Sequence, residues 1–142
     1  MKYLVRRVNI GRSEQLNKLT LACGRLYSLT LVWLRHFVRK HRDWIEPSTM
    51  MRWLNSKELH AHAANACVQA FYASSKSWGC RLKFDPNSKL PKHCRRFFFG
   101  IKYKNIAIRH RGGKLVLSNR RGNPALILEL PWLTPRTVVP RR

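Results

Sequence analysis

Between residues 14 and 41, Leu16, Leu19, Cys23, Leu26, Tyr27, Thr30, Leu34, Phe37 and Val38 recur at steps of three and four. Steps of that size put them on one stripe of an amphipathic helix. A helix striped this way is stable only where another element covers the stripe. Gly11-Arg12 breaks the chain just before it, and Ser13 is placed to cap its first turn.

The next segments of the chain supply the cover. Trp44-Ile45-Glu46-Pro47 is a break, and Ser48 can cap a short helix over 49–54 with Met50, Trp53 and Leu54 on its inner side. A third helix is expected over about 57–78, with Leu59, Ala63, Ala66, Cys67, Ala70, Phe71, Ser74 and Trp78 on one stripe and Gly79 as its stop. The character then changes at Asp85-Pro86-Asn87-Ser88-Lys89-Leu90-Pro91. Strands are expected over 96–102, which holds Phe97, Phe98 and Phe99, and over 105–110 with Ile106 and Ile108 on one face. Gly112-Gly113 signals a hairpin, and Leu115 and Leu117 alternate on the return strand. After a turn at 120–124, Leu126, Leu128 and Leu130 share a face. Residues 2–8 read as one further strand, which cannot stand alone and has to join the later ones.

The expected fold class is therefore α+β. It is a small antiparallel β-barrel with a helical domain inserted after the first strand. Residues 1–11 carry the first strand, 12–82 the inserted helical domain, and 83–142 the remaining strands and a basic tail.

Charge narrows the function. The chain has 29 Lys+Arg against 6 Asp+Glu, a formal net charge of +23. A compact body so charged repels itself and gains most by neutralising phosphates. The acids Glu14, Asp43, Glu46, Glu58, Asp85 and Glu129 are scattered, and only Asp43 and Glu46 lie close in sequence. Two-metal chemistry has almost nothing to build with. No nucleophile elbow, zinc-protease helix or phosphate-binding loop is present. The cysteines Cys23, Cys67, Cys80 and Cys94 form no C-x-x-C pair, and adjacent His93-Cys94 is poor geometry for tetrahedral zinc. His60 and His62 diverge if both lie in a helix. No metal and no cofactor is expected. No apolar run is long enough for a membrane span, and a prokaryotic cytoplasmic location is the default expectation.

Phosphate contacts are expected from Arg35 and Arg39 at the end of the long helix, though a solvated helix face would look the same. Arg109 and Arg111 beside the hairpin, with Arg120 and Arg121 in the next loop, suit the gripping of an RNA backbone. The three Phe either stack bases or fill the core, and burial is favoured.

Four stretches then resemble a known family. Arg25-Leu26-Tyr27-Ser28-Leu29-Thr30-Leu31 looks like the Arg-x-Tyr-Asn-x-x-Leu segment of TnpB proteins, the transposon-encoded RNA-guided nucleases related to type V CRISPR effectors. Leu59-His60-Ala61-His62-Ala63-Ala64-Asn65, with Phe71 and Trp78, looks like their Leu-x-Ser-x-x-x-Gln helix. Lys89-Leu90-Pro91-Lys92 and Leu128-Glu129-Leu130-Pro131 look like the approach to their nuclease domain.

The resemblance covers the N-terminal third of that family. It implies a wedge-type, OB-like barrel with a helical recognition domain inserted after its first strand, the two together holding guide RNA and reading a short target-adjacent DNA duplex motif. It places Tyr27, Ser28, Ala61 and Asn65 on or beside those surfaces, and His62 joins them as a candidate base or groove contact. Ser28 stands where Asn is usual, Ala61 where a polar residue is, and Asn65 where Gln is. Asn can still contact adenine in a bidentate way. The RuvC-like carboxylates and zinc ribbon of the family lie beyond a point equivalent to about Pro140, so no nuclease activity is expected of residues 1–142 themselves. The alternative is a docking or assembly subunit whose barrel edge and Trp-rich helices bind a separate RuvC-containing chain.

Overall fold

The computed structural model describes residues 7–91 and 100–130. Among them are three α-helices and a three-stranded antiparallel sheet. Helix α1 spans Glu14–His41, α2 Pro47–Trp53 and α3 Ala61–Leu82. The strands are β1 (Ile108–Arg111), β2 (Lys114–Leu117) and β3 (Leu126–Glu129), in the order β1-β2-β3.

Helix α1 has the bounds its periodicity requires. The Ser13 hydroxyl accepts from the Leu16 amide at 3.0 Å, satisfying one of the open donors of the first turn. The helix ends at Arg42, whose backbone sits in the left-handed region at φ 56°, with its N–H bonded to the Val38 carbonyl at 2.9 Å. Helix α2 starts at Pro47 rather than after Ser48. Proline suits that first position, where no amide bond is needed. Met50 and Leu54 point inward as expected, but Trp53 is 50% exposed.

Helix α3 differs from expectation at both ends. The chain over Ser56–Leu59 is a turn held by the Ser56 hydroxyl, which accepts from the amides of Glu58 and Leu59, each at 3.3 Å. The cap is His60, whose Nδ1 accepts from the His62 amide at 3.3 Å. At the other end Gly79 does not stop the helix, which runs on to Leu82. Its buried row is Ala63, Ala64, Cys67, Val68, Phe71 and Ser75, so the stripe is turned relative to the Ala66–Ala70–Ser74 row expected from sequence.

Helices α1 and α3 pack along their lengths, with α2 against α3. Their shared core holds Cys23, Leu31, Met50, Leu59, Val68 and Phe71, all essentially inaccessible. The Tyr27 ring meets Phe71 edge-on, centroids 5.5 Å apart.

The sheet is built around the Gly112-Gly113 turn. Both residues have positive φ, +52° and +76°, and such a two-residue turn matches the natural twist of the flanking strands. Arg111 pairs Lys114, which pairs Glu129; Ile108 pairs Leu117, which pairs Leu126. One face therefore carries Ile108, Leu117, Leu126 and Leu128, and it joins the helical core. The other carries Arg109, Arg111, Lys114, Val116, Ile127 and Glu129. The expected strand over 105–110 is shorter. Asn105–Ala107 is a 3-10 turn, and Ile106 is 72% exposed rather than on the core face.

The sheet is open, and no closed barrel is present among the described residues. Most of the expected strand 2–8 and the first part of 96–102, including Phe97 to Phe99, lie outside the described residues, as do His93, Cys94 and the basic tail. Arg7, Val8 and 100–102 are irregular. No helix among the described residues is long and apolar enough to cross a membrane.

Candidate nucleic-acid interface

The ten candidate residues fall into five places. Arg35 and Arg39 lie one turn apart on α1. Both line an apolar cavity of about 300 Å³, together with Leu34, Val38, Trp44 and Trp78. Their spacing follows from the helix: Leu31, Leu34 and Val38 fill the inner row, and the two arginines border it.

Arg109 and Arg111 lie two residues apart on β1 and share the solvent face of the sheet. Lys114 on the same face is held by Glu129, Nζ to Oε1 3.0 Å. The other ion pair among the described residues is Lys18 with Glu14, at 3.0 Å. That contact holds the Glu14 carboxyl below its ordinary range, through its hydrogen bond first and its charge second. Arg35, Arg39, Arg109, Arg111 and Arg121 thus form no ion pair among the described residues.

Arg120 does something the sequence did not suggest. Its guanidinium donates to the Ser56 carbonyl at 2.6 Å, and Asn123 Nδ2 donates to the Lys57 carbonyl at 2.7 Å. Gln15 Nε2 reaches the carbonyls of Pro124 and Ala125 at 3.0 and 3.2 Å. The loop after β2 is a latch onto the start of α1 and the turn before α3, and Arg120 and Arg121 on it are both exposed.

His62 and Asn65 lie one turn apart near the start of α3, both half-buried. Because His60 caps the helix from outside it, the two imidazoles do not diverge. They stack with centroids 5.4 Å apart at 28°. Ser28 is buried within the helical core. Tyr27 is buried too, yet it lines a wide cavity of about 470 Å³ with Ser74, Ser77, Arg81 and Lys89. Arg81 and Lys89 are cations that sequence reasoning passed over. Their signal was a basic pair flanking the Asp85-Pro86 loop, but only the fold brings them to Tyr27.

Two tyrosines are held neutral at the joints. Burial, then the Glu46 charge, pushes Tyr72 up to about 12, and its hydroxyl donates to the Ile45 carbonyl at 2.7 Å. Burial, then Cys23, pushes Tyr103 up to about 12, and it donates to Asn119 Oδ1 at 2.8 Å.

Cys23 and Cys67 meet across α1 and α3 as free, buried thiols, while Cys80 is exposed. The hydrogen bond with Cys67, then burial, pushes the Cys23 thiol up and away from reactivity. No three His, Cys, Asp or Glu converge on a metal-sized point among the described residues.

A second surface is apolar. Leu29, Val32 and Trp33 are exposed on the outer side of α1, and Trp33 and Phe37 meet Trp53 at 6.4 and 6.2 Å. Comparison with known proteins finds no matching family model, no matching curated protein and no matching solved structure.

Proposed function

We propose that the chain is a nucleic-acid-binding recognition module, gripping RNA through phosphate contacts and without nuclease chemistry of its own. The observation that carries this reading is the set of exposed arginines that form no ion pair among the described residues, on a chain of net charge +23. Neutralising them with phosphates releases counterions and relieves self-repulsion. Guanidinium groups suit phosphate better than ammonium groups because they can bind it in a bidentate way.

The resemblance to TnpB proteins refines the proposal. The bound RNA would be of guide type, with a short DNA motif beside the target, and a RuvC-like chain would supply catalysis. The OB-like barrel belongs to this finer reading, with the open three-stranded sheet as a part of it. Of the base- or groove-contact candidates Tyr27, Ser28, His62 and Asn65, the first two are buried and the last two half-buried, and His60 stacks on His62.

The test is binding of single-stranded and structured RNA across a salt series. Six phosphate contacts give a log–log slope of about −4, so affinity should fall roughly 300-fold between 50 and 200 mM salt. The double variant Arg109→Glu/Arg111→Glu should weaken binding at least tenfold while the protein remains folded. Salt-insensitive binding, or no effect of the double variant, would refute the reading.

One observation favours a docking subunit as the second reading. Leu29, Val32, Trp33 and Trp53 make an exposed apolar surface of a kind that partner chains cover. A partner that stays bound after nuclease digestion in high salt would support it.

A further inference from the structure

The cleft lined by α1, the Trp44 loop and α3 has an apolar interior, two arginines at its edge and one polar atom without a partner. That atom is Ser75 Oγ. Ser75 is 8% exposed and lines the cleft, and its hydroxyl has no hydrogen-bond partner among the described residues. Its neighbours behave differently. The hydroxyls of Thr20, Thr30 and Ser74 each bond back to the carbonyl four residues earlier, at 3.0, 2.8 and 3.0 Å. Such back-bonding is the ordinary fate of a hydroxyl inside a helix. Ser75 forgoes it, and a buried polar group left open calls for a partner that completes it.

The walls are fixed. Trp78 Nε1 donates to the Ser88 carbonyl at 2.9 Å, and Trp44 meets Tyr72 at 6.2 Å and 83°. Tyr72 is itself tied to Ile45. Trp44 nevertheless remains 49% exposed at the cleft. A volume of about 300 Å³ is at the small end of ligand pockets, which run from about 300 to 1,000 Å³.

The geometry points to a nucleotide pocket: one unpaired base enters the cleft against Trp44 and Trp78, Ser75 Oγ meets its polar edge, and Arg35 and Arg39 hold its phosphate. An apolar slot with indole walls takes the π-face of any base. One hydroxyl, able to donate and accept, adds a preference among bases without fixing one. The arginines explain why the occupant is anionic. An apolar peptide side chain would leave both of them, and the hydroxyl, unmatched. This inference rests on the nucleic-acid reading and adds to it that the bound strand is single-stranded at this point, with one base out of its stack.

The probes are ten-nucleotide homopolymeric RNAs and a backbone-matched decamer of abasic ribose phosphates, titrated against the whole chain at low salt. The base-bearing strands should bind roughly 5- to 100-fold tighter than the abasic one, the range expected of one stacked base. Trp44→Ala should reduce that difference to about twofold. Ser75→Ala should change the rank order of the four homopolymers.

Equal binding of abasic and base-bearing strands by the natural protein overturns the pocket and needs no variant. If the salt slope stays steep in that case, the nucleic-acid reading survives. A base dependence that persists in folded Trp44→Ala places the base elsewhere and also overturns it. Binding of neither strand at low salt defeats the nucleic-acid reading and the pocket with it.

Discussion

The helical region and the sheet are made of different physics. The helices bury a continuous row from both sides: Cys23, Leu31, Val68 and Phe71 are enclosed by their neighbours. The sheet has three strands of four residues, buried on one face and open on the other. Its inner face joins the helical core through Leu117 and Leu126, and its far loop is latched by Gln15, Arg120 and Asn123. A region of the first kind holds itself up, while one of the second borrows stability and in exchange presents an open surface. Both carry candidate arginines. Those on the helix border a cavity, and those on β1 lie on a flat face. On the proposed reading both sites would contribute phosphate affinity, and the helical cleft would add selectivity between bases.

The largest effect should come from testing which region bears the fold. Phe71→Ala should cost about 3–5 kcal/mol, because the ring is enclosed and touches both Tyr27 and Tyr72. That is a large part of the roughly 5–15 kcal/mol a domain has. Leu126→Ala should fall nearer 2 kcal/mol, since an edge strand over a thin core relaxes more easily. Denaturant midpoints would measure both. Equal losses would show that the sheet is as integral to the core as the helices.

A smaller effect sharpens the same contrast. Asn123→Ala removes the bond to the Lys57 carbonyl and should cost about 0.5–1.5 kcal/mol. The loss should be local. Amide exchange should quicken in β2 and β3 and stay unchanged in the middle of α1. Uniform quickening would mean that the two regions open as one.

The same contrast governs what the sequence disclosed. Helix α1 was legible to the residue because its stripe is long, Ser13 is a strong cap and no glycine interrupts its exposed side. Helix α3 was misplaced at each end. Gly79 looks like a stop, yet the helix continues, and Trp78 beside it is tied to Ser88. His60 looks like a helical residue and is a cap. The alanine-rich composition gave two rows of similar apolarity, and only the packing against α1 selected the row ending at Ser75. The Gly112-Gly113 hairpin and the Leu126–Leu128–Leu130 face were legible because turn chemistry and alternation are local signals. At the site, Arg35 and Arg39 could be named. Trp44 and Ser75 could not, because a cleft between α1 and α3 is a property of two elements and appears in neither alone.

The smallest expected effect tests the joint at which α1 ends. Arg42 holds a left-handed backbone, the conformation glycine adopts without penalty and other residues at a cost of about 1–2 kcal/mol. Arg42→Gly should therefore stabilise the protein by about 0.5–1 kcal/mol, once the greater freedom of glycine in the unfolded chain is deducted. Removing a cation from a chain of +23 would also relieve repulsion, so the gain alone is ambiguous. Arg42→Ala separates the causes, since it removes the same charge and keeps the Cβ. A gain in the glycine variant only, insensitive to salt, assigns the effect to the backbone. Equal gains in both, fading as salt is added, assign it to charge and make the end of α1 part of the electrostatic surface rather than a strained cap.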